Sequence, residues 1–196
     1  MKNICVFCGS SPGEREAYIT AARRLGSLLA QRGLTLIYGG GNSGLMGEIA
    51  QAALQSNGKV IGVIPRSMEQ RELAHRGVTE LHVVDNMHQR KAMMAELADG
   101  FIAMPGGLGT LEEIAEALTW AQLEFHRKPC GLLNVDGFYD TLASFLDHMV
   151  TEGFLHPQHR ALALVSADPQ ELLDQFERYT PAHVDKIAMA HEKRVG

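Results

Sequence analysis

The sequence predicts a doubly wound α/β fold, a parallel sheet with helices on both faces. Short apolar runs alternate along the chain with segments of helical period, and each run is followed closely by Gly, Pro, Ser or Asp. Runs such as Leu34-Thr35-Leu36-Ile37-Tyr38 lack polar alternation, as strands covered on both faces do. Together these are the rhythm of βαβ units.

Strands are expected at residues 4–7, 34–38, 59–64, 78–83, 101–104 and 130–134, with a seventh at 161–165. Helices are expected near 14–32, 44–56, 87–98, 110–125, 138–152 and 169–178. The first run, Ile4-Cys5-Val6-Phe7, breaks at Gly9-Ser10-Ser11-Pro12-Gly13, and the next helix carries its apolar face on Leu25, Leu28 and Leu29. The second run ends in Gly39-Gly40-Gly41 and the fifth in Pro105-Gly106-Gly107. No repeat, low-complexity tract or Pro/Ser-rich linker divides the chain. Residues 1–180 therefore read as one nucleotide-binding α/β domain and 181–196, polar and mixed in sign, as a C-terminal tail.

Composition narrows the function. At 196 residues, 45% hydrophobic and 21% charged, the chain can bury one sizeable core. A net charge of -5 with no Lys/Arg block excludes a long nucleic-acid or anionic-membrane partner but leaves small anions open. Three cysteines, Cys5, Cys8 and Cys130, with no C-x-x-C pair fit a reducing compartment. The apolar run at 4–7 is too short for a signal segment, and no stretch is long enough to span a bilayer, so a cytoplasmic protein is expected.

Ligands of open α/β sheets bind beyond the carboxyl ends of the strands, and three loops there are unusual. After the first strand, small residues let backbone N–H groups and the hydroxyls of Ser10 and Ser11 turn toward an anion; an ordinary turn with a serine cap has the same composition. After the second, Gly39, Gly41 and Gly44 match the G-x-G-x-x-G dinucleotide pattern. That pattern belongs on the first strand, and the ribose-binding acid expected about 20 residues later is missing, since Ile64 leads into Pro65-Arg66. NAD is thereby disfavoured, with Arg66 leaving a weak NADP alternative. What remains is that these glycines admit a phosphate or let a helix pack closely on the sheet.

The third loop is Pro105-Gly106-Gly107-Leu108-Gly109-Thr110-Leu111-Glu112-Glu113. Thr110 and Glu113 form a capping-box pattern, with Thr110 as N-cap, which alone accounts for both. It does not account for Gly106, Gly107 and Gly109, each of which carries an entropic cost of roughly 0.5–1 kcal/mol if it merely connects elements. Two such loops on one edge imply a phosphorylated ligand held from both sides. A fourth element, Asp85-Asn86-Met87-His88-Gln89-Arg90-Lys91, starts a helix with two cations that oppose its macrodipole by ~0.3–1 kcal/mol each, so a bound anion or a nearby carboxylate is expected beside them. If the anion is substrate, removing Arg90 leaves stability level or raised.

These motifs, with Met87-x-x-Arg90-Lys91 between the glycine loops, the opening Cys5-Val6-Phe7-Cys8-Gly9-Ser10-Ser11 and the segment Thr119-Trp120-Ala121-Gln122-Leu123, resemble the lonely guy family of cytokinin riboside 5'-monophosphate phosphoribohydrolases over nearly the whole chain. The resemblance implies a Rossmann-like sheet, a homodimer without cofactor, and hydrolysis of a nucleoside 5'-monophosphate, AMP or an N6-substituted AMP, to free base and ribose 5-phosphate. It implies Arg90 and Glu113 as catalytic, with ligand contacts from Lys91, Gly107, Gly109, Thr110, Leu111, Glu112 and Thr119. Ser10, Gly41, Gly44 and Gly106 join them from the loops. Glu72 matches a further binding position, although the segment Glu69-Gln70-Arg71-Glu72 lacks the proline common before the family's Arg-Glu pair. Leu108 stands where an aromatic is common. Members are often labelled lysine decarboxylases, but the six lysines here include no recognisable Schiff-base motif.

Cleavage at C1' develops oxocarbenium charge on the ribose, which a carboxylate such as Glu113 stabilises while orienting or deprotonating water. Glu112 and Glu113 diverge by about 100° on a helix and form no catalytic pair, whereas Glu116 shares a face with Glu113. The rival from another class is a carrier or regulatory module that binds a nucleotide without hydrolysing it. Metal chemistry is not expected, since the nine histidines are scattered and His156-x-x-His159 beside Pro157 reads as a loop. Trp120, Met93, Met94 and Met104 are candidate interface or core residues.

Overall fold

A computed structural model describes residues 1–69 and 73–181. Seven strands form one all-parallel sheet: β1 (Asn3–Phe7), β2 (Thr35–Tyr38), β3 (Val60–Pro65), β4 (Glu80–Val84), β5 (Gly100–Ala103), β6 (Cys130–Leu133) and β7 (Ala163–Ser166), in the order β4-β3-β2-β1-β5-β6-β7. The chain winds outward from β1 to β4, then returns to place β5 against β1. The switch point of this Rossmann-like sheet thus lies between the two strands that lead into the first and third loops.

Side chains alternate across the strands and divide the core into two layers. Ile4 and Val6 face α1 (Glu16–Gln31), α2 (Gly44–Gln55) and α8 (Pro169–Glu177), packing with Leu25, Leu29, Ile49, Leu172 and Phe176. Cys5 and Phe7 face the opposite layer, where α4 (Met87–Leu97) and α5 (Leu108–Gln122) contribute Met94, Ile114 and Ala117. The expected face of α1 is buried as read. Gly26 on the same helix has a role the periodicity could not show, because a Cβ there would overlap the carbonyl oxygen of Ile49, so its absence sets how closely α1 and α2 cross.

Several boundaries move for local reasons. The fourth strand begins at Glu80, since Val78 is held in a turn by its N–H bond to the His75 carbonyl. A one-turn helix, α3 (Arg66–Glu69), follows β3, and α6 (Asp140–Thr151) is preceded by a 3₁₀ turn at Val135–Gly137. His156 to His159, expected in a loop, instead start the one-turn helix α7 (Pro157–Arg160): Pro157 suits a first helical position and the His156 ring accepts from the Gln158 N–H. Among the described residues no helix is long and apolar enough to cross a membrane. Of the expected tail, residues 182–196 lie outside the described residues.

Candidate active site

The three glycine loops converge on Gly9. Its N–H donates to the Pro105 carbonyl at 3.0 Å, and its carbonyl accepts from the N–H groups of Leu45 and Met46, 3.1 and 3.4 Å away. The first donors of α2 are therefore satisfied by the β1 loop. Gly44 has a φ of +57°, and a Cβ there would overlap the Ser10 backbone; Gly41 lies against the Met46 side chain. Close packing of the second loop on the first accounts for Gly44, whereas the neighbour of Gly41 is a flexible side chain of the helix that follows it. Gly106 is equally constrained, because a Cβ would overlap Oγ1 of the buried Thr110.

Gly107 and Gly109 are different. Neither has a left-handed φ, and a Cβ on either would meet nothing within 4 Å. Gly107 is the N-cap of α5, no side chain caps that helix, and the rim beside it carries the exposed Leu108 and Leu111. Among the described residues no packing contact requires glycine at these two positions, and the absence of side chains leaves the helix N-terminus open to close approach.

The capping-box expectation fails. α5 begins two residues before Thr110, which becomes the third helical residue, and Glu113 turns into the protein instead of back to the cap. Its Oε1 accepts from Nη1 of Arg90 at 2.7 Å, with only 10% of the arginine and 9% of the glutamate side chain exposed. Nε of Arg90 donates to the Val63 carbonyl at 3.2 Å. The guanidinium lies against Gly39, where a Cβ would overlap Nη2, so the first glycine of the second loop makes room for the arginine. Burial pushes the Glu113 carboxyl above its ordinary range, against the pull of Arg90.

The charges at the start of α4 thus find carboxylates. Asn86 caps the helix by accepting from the Gln89 N–H at 3.0 Å. Lys91 pairs with Glu112 and, at 3.1 Å, with Glu116, tying α4 to α5 along a second line. An apolar crevice walled by Phe7, Phe101, Ala117 and Trp120 opens beside Lys91 and Glu113. The expectation that loss of Arg90 spares stability is corrected by this geometry, since its removal would leave Glu113 buried without its cation.

Ser10, Gly106 and Gly107 line a cavity of about 230 Å³ at the switch point. Thr119 is not brought there: it lies on an outer face of α5, donating to the Ala115 carbonyl at 2.7 Å and lining a groove with Leu118, Leu146 and Met149. Glu72 lies outside the described residues. The three cysteines are buried free thiols, each pushed upward by burial, Cys130 to about 12, which leaves them unsuited to nucleophilic work.

Residues 46–176 match the family model described as possible lysine decarboxylase. A cytokinin riboside 5'-monophosphate phosphoribohydrolase of Arabidopsis thaliana is 51% identical over 180 residues, covering 92% of this chain and 83% of that one. A probable enzyme of the same name from Oryza sativa subsp. japonica is 48% identical over 188 residues, 96% of this chain and 76% of its own. The chain belongs to the lonely guy family. The fold extends further than the family name: a solved molybdenum cofactor carrier protein of Chlamydomonas reinhardtii superposes with a TM-score of 0.69 at 24% identity, covering 91% of this chain and 99% of that one. A molybdenum cofactor binding protein from Rippkaea orientalis gives 0.68 at 25% identity, covering 91% and 97%. In this lonely guy chain the glycines at 39 and 107 have separate duties, one seating an arginine and the other leaving a helix N-terminus open. The sequence offers phosphate approach or close helix packing as the reason for Gly39, and its contact with Arg90, being tertiary, is not encoded in local spacing.

Proposed function

We propose that this protein hydrolyses the N-glycosidic bond of a nucleoside 5'-monophosphate, AMP or an N6-substituted AMP, releasing free base and ribose 5-phosphate. The observation that carries the reading is the buried Arg90–Glu113 pair set beside an open helix N-terminus, in a chain about half identical to enzymes named for this reaction. The phosphate is held by the N–H groups at the start of α5 and by Ser10, which anchors the ribose and lets binding energy position C1'. Water adds to C1' as the bond to the base breaks. The Glu113 carboxylate faces the developing oxocarbenium charge and takes the water's proton, and the base leaves with the electron pair of the broken bond and takes up a proton from solvent, to which Glu113 afterwards returns its own. Arg90 holds the carboxylate in place and sets its charge, while Lys91, Glu112 and Leu111 shape the rim of the same site and the buried Thr110 supports Gly106 from beneath.

We also read the chain as a homodimer acting in the cytoplasm. Met94 and Met104 are core residues, at 1% and 0% exposure, and so lend the dimer no support. Met93 and Trp120 remain half-buried, and the groove between α5 and α6 that Thr119 lines is apolar. A dimeric mass in solution scattering at micromolar concentration is expected; a monomeric mass contradicts it.

The carrier reading draws on the likeness to the cofactor carriers, and turnover separates the two. Incubation with AMP, an N6-substituted AMP and adenosine, followed by chromatography, is expected to release base from the monophosphates and little from the nucleoside. Tight nucleotide binding without base release supports a carrier. Equal turnover of AMP and adenosine removes the phosphate anchor from the account.

A further inference from the structure

Strand β5 leaves the sheet through a slip in its ladder with β1. The Met104 N–H donates to the Phe7 carbonyl at 2.9 Å, and a regular parallel ladder would next give the Gly9 N–H to the Met104 carbonyl. That N–H goes instead to the Pro105 carbonyl, one residue further on. Met104 is fully buried, and its carbonyl, left without a strand partner, would carry the cost of an unmade hydrogen bond. The hydroxyl of Tyr139 fills the place, donating to it at 2.6 Å.

The chain after β6 is shaped to deliver this hydroxyl. Two successive left-handed residues, Asp136 at φ 56° and Gly137 at φ 73°, lead into Phe138 and Tyr139, and a Cβ on Gly137 would overlap Oδ2 of Asp140. Oδ1 of Asn134 accepts from the Tyr139 N–H at 2.7 Å, while its Nδ2 donates to Oδ1 of Asp140 at 2.7 Å. The Tyr139 ring is buried and meets Phe138 edge to face, with centroids 5.0 Å apart. Burial pushes the phenol above its ordinary range, so it stays protonated and remains a donor.

The consecutive carbonyls of Met104 and Pro105 are thus held from two directions, by Tyr139 beyond β6 and by Gly9 beyond β1. Pro105 has a fixed φ and no N–H, and the glycines at 106 and 107 bring no side chain to anchor the path. The route into the N-terminus of α5 is therefore set upstream, at these two peptide groups. Tyr139 lines neither the switch-point cavity nor the crevice beside Lys91, so it acts through the backbone. We propose that Tyr139 is a positioning residue whose hydroxyl, through the Met104 carbonyl, fixes the N–H groups at the start of α5 that receive the substrate phosphate. The inference rests on the hydrolytic reading given above and names a further residue that serves its phosphate site.

Tyr139→Phe tests it by removing one oxygen and keeping the ring. In base release from AMP the variant is expected to raise KM roughly fivefold or more, with a smaller change in kcat. The acid limb of kcat should stay where it is, since Arg90 and Glu113 keep their pair. Calorimetric affinity for ribose 5-phosphate, which carries the phosphate without a base, is expected to fall by a similar factor. Arg32→Ala is the control for stability alone: Arg32 ties α1 to α8 through Asp174 and Glu177, so its loss lowers the melting temperature and leaves KM and ribose 5-phosphate affinity unchanged. A folded Tyr139→Phe protein with wild-type KM and wild-type ribose 5-phosphate affinity overturns the proposal, as does an equal rise of KM in Arg32→Ala. Asn134→Ala keeps the hydroxyl but removes the acceptor that seats its residue, and it is read in the same way should Tyr139→Phe not fold. Should the wild type release base from no nucleotide, the hydrolytic reading fails by itself. Calorimetric affinity for AMP then reads the loop directly: a roughly fivefold loss in Tyr139→Phe supports the proposal, and no loss, or no binding by the wild type, overturns it.

Discussion

Nη1 of Arg90 and Oε1 of Glu113 lie 2.7 Å apart, joining the start of α4 to the second turn of α5 in a space that excludes nearly all solvent. A pair so placed serves two ends. It neutralises two charges that could not be buried singly, and it fixes a carboxylate at the carboxyl edge of the sheet, where the proposed function needs one.

Arg90→Ala is therefore expected to abolish most turnover and also to destabilise the fold. Removing one partner of a buried pair costs about 3–5 kcal/mol, visible as a lower denaturant midpoint. Unchanged stability would indicate that Glu113 finds another partner or takes up a proton without penalty.

Gly39→Ala and Gly107→Ala are expected to behave differently. At Gly39 the new methyl overlaps the Arg90 guanidinium, so stability falls by about 1–3 kcal/mol and kcat falls with it. At Gly107 the methyl meets nothing, so the fold tolerates it at a cost of no more than about 1 kcal/mol for alanine at the N-cap, while KM for AMP increases. Thermal melts and steady-state kinetics on the pair separate packing from ligand approach.

The pH dependence follows from the raised Glu113 carboxyl. The folded chain binds this proton more tightly than the unfolded chain does, so the favourable contribution of the protonated form is full below the ordinary glutamate value of 4.5 and is lost as pH rises through the raised one. Activity needs the opposite state. The acid limb of kcat is expected above the ordinary glutamate range, and it should vanish in a variant that lacks the carboxyl.

Much of this was legible in the sequence for definite reasons. Strands covered on both faces read as continuous apolar runs, and the glycine clusters after β1, β2 and β5 lie at the carboxyl edge because that is where the topology needs turns. The cap of α4 was legible too, since Asn86 acts on a residue three positions away. Thr110-x-x-Glu113 misled for the converse reason: the local pattern suits a cap, but Gly107 starts the helix earlier and Arg90, 23 positions away in the chain, takes the carboxylate. Gly26 and Gly39 answer to atoms of other elements, which no local spacing encodes. Thr119 was carried into the site by resemblance alone and lies on another face of its helix.

Glu113→Gln tests the central claim most directly, with free-base release from AMP as the readout. Glutamine keeps an oxygen for Nη1 of Arg90 but removes the charge, so the folded variant is expected to lose some stability and still bind AMP. Base release should fall by roughly 10²-fold or more, because the amide neither takes a proton from water nor faces an oxocarbenium ion with negative charge. Near-wild-type release of adenine by folded Glu113→Gln would contradict the account, leaving Glu113 as a structural partner of Arg90 and nothing more.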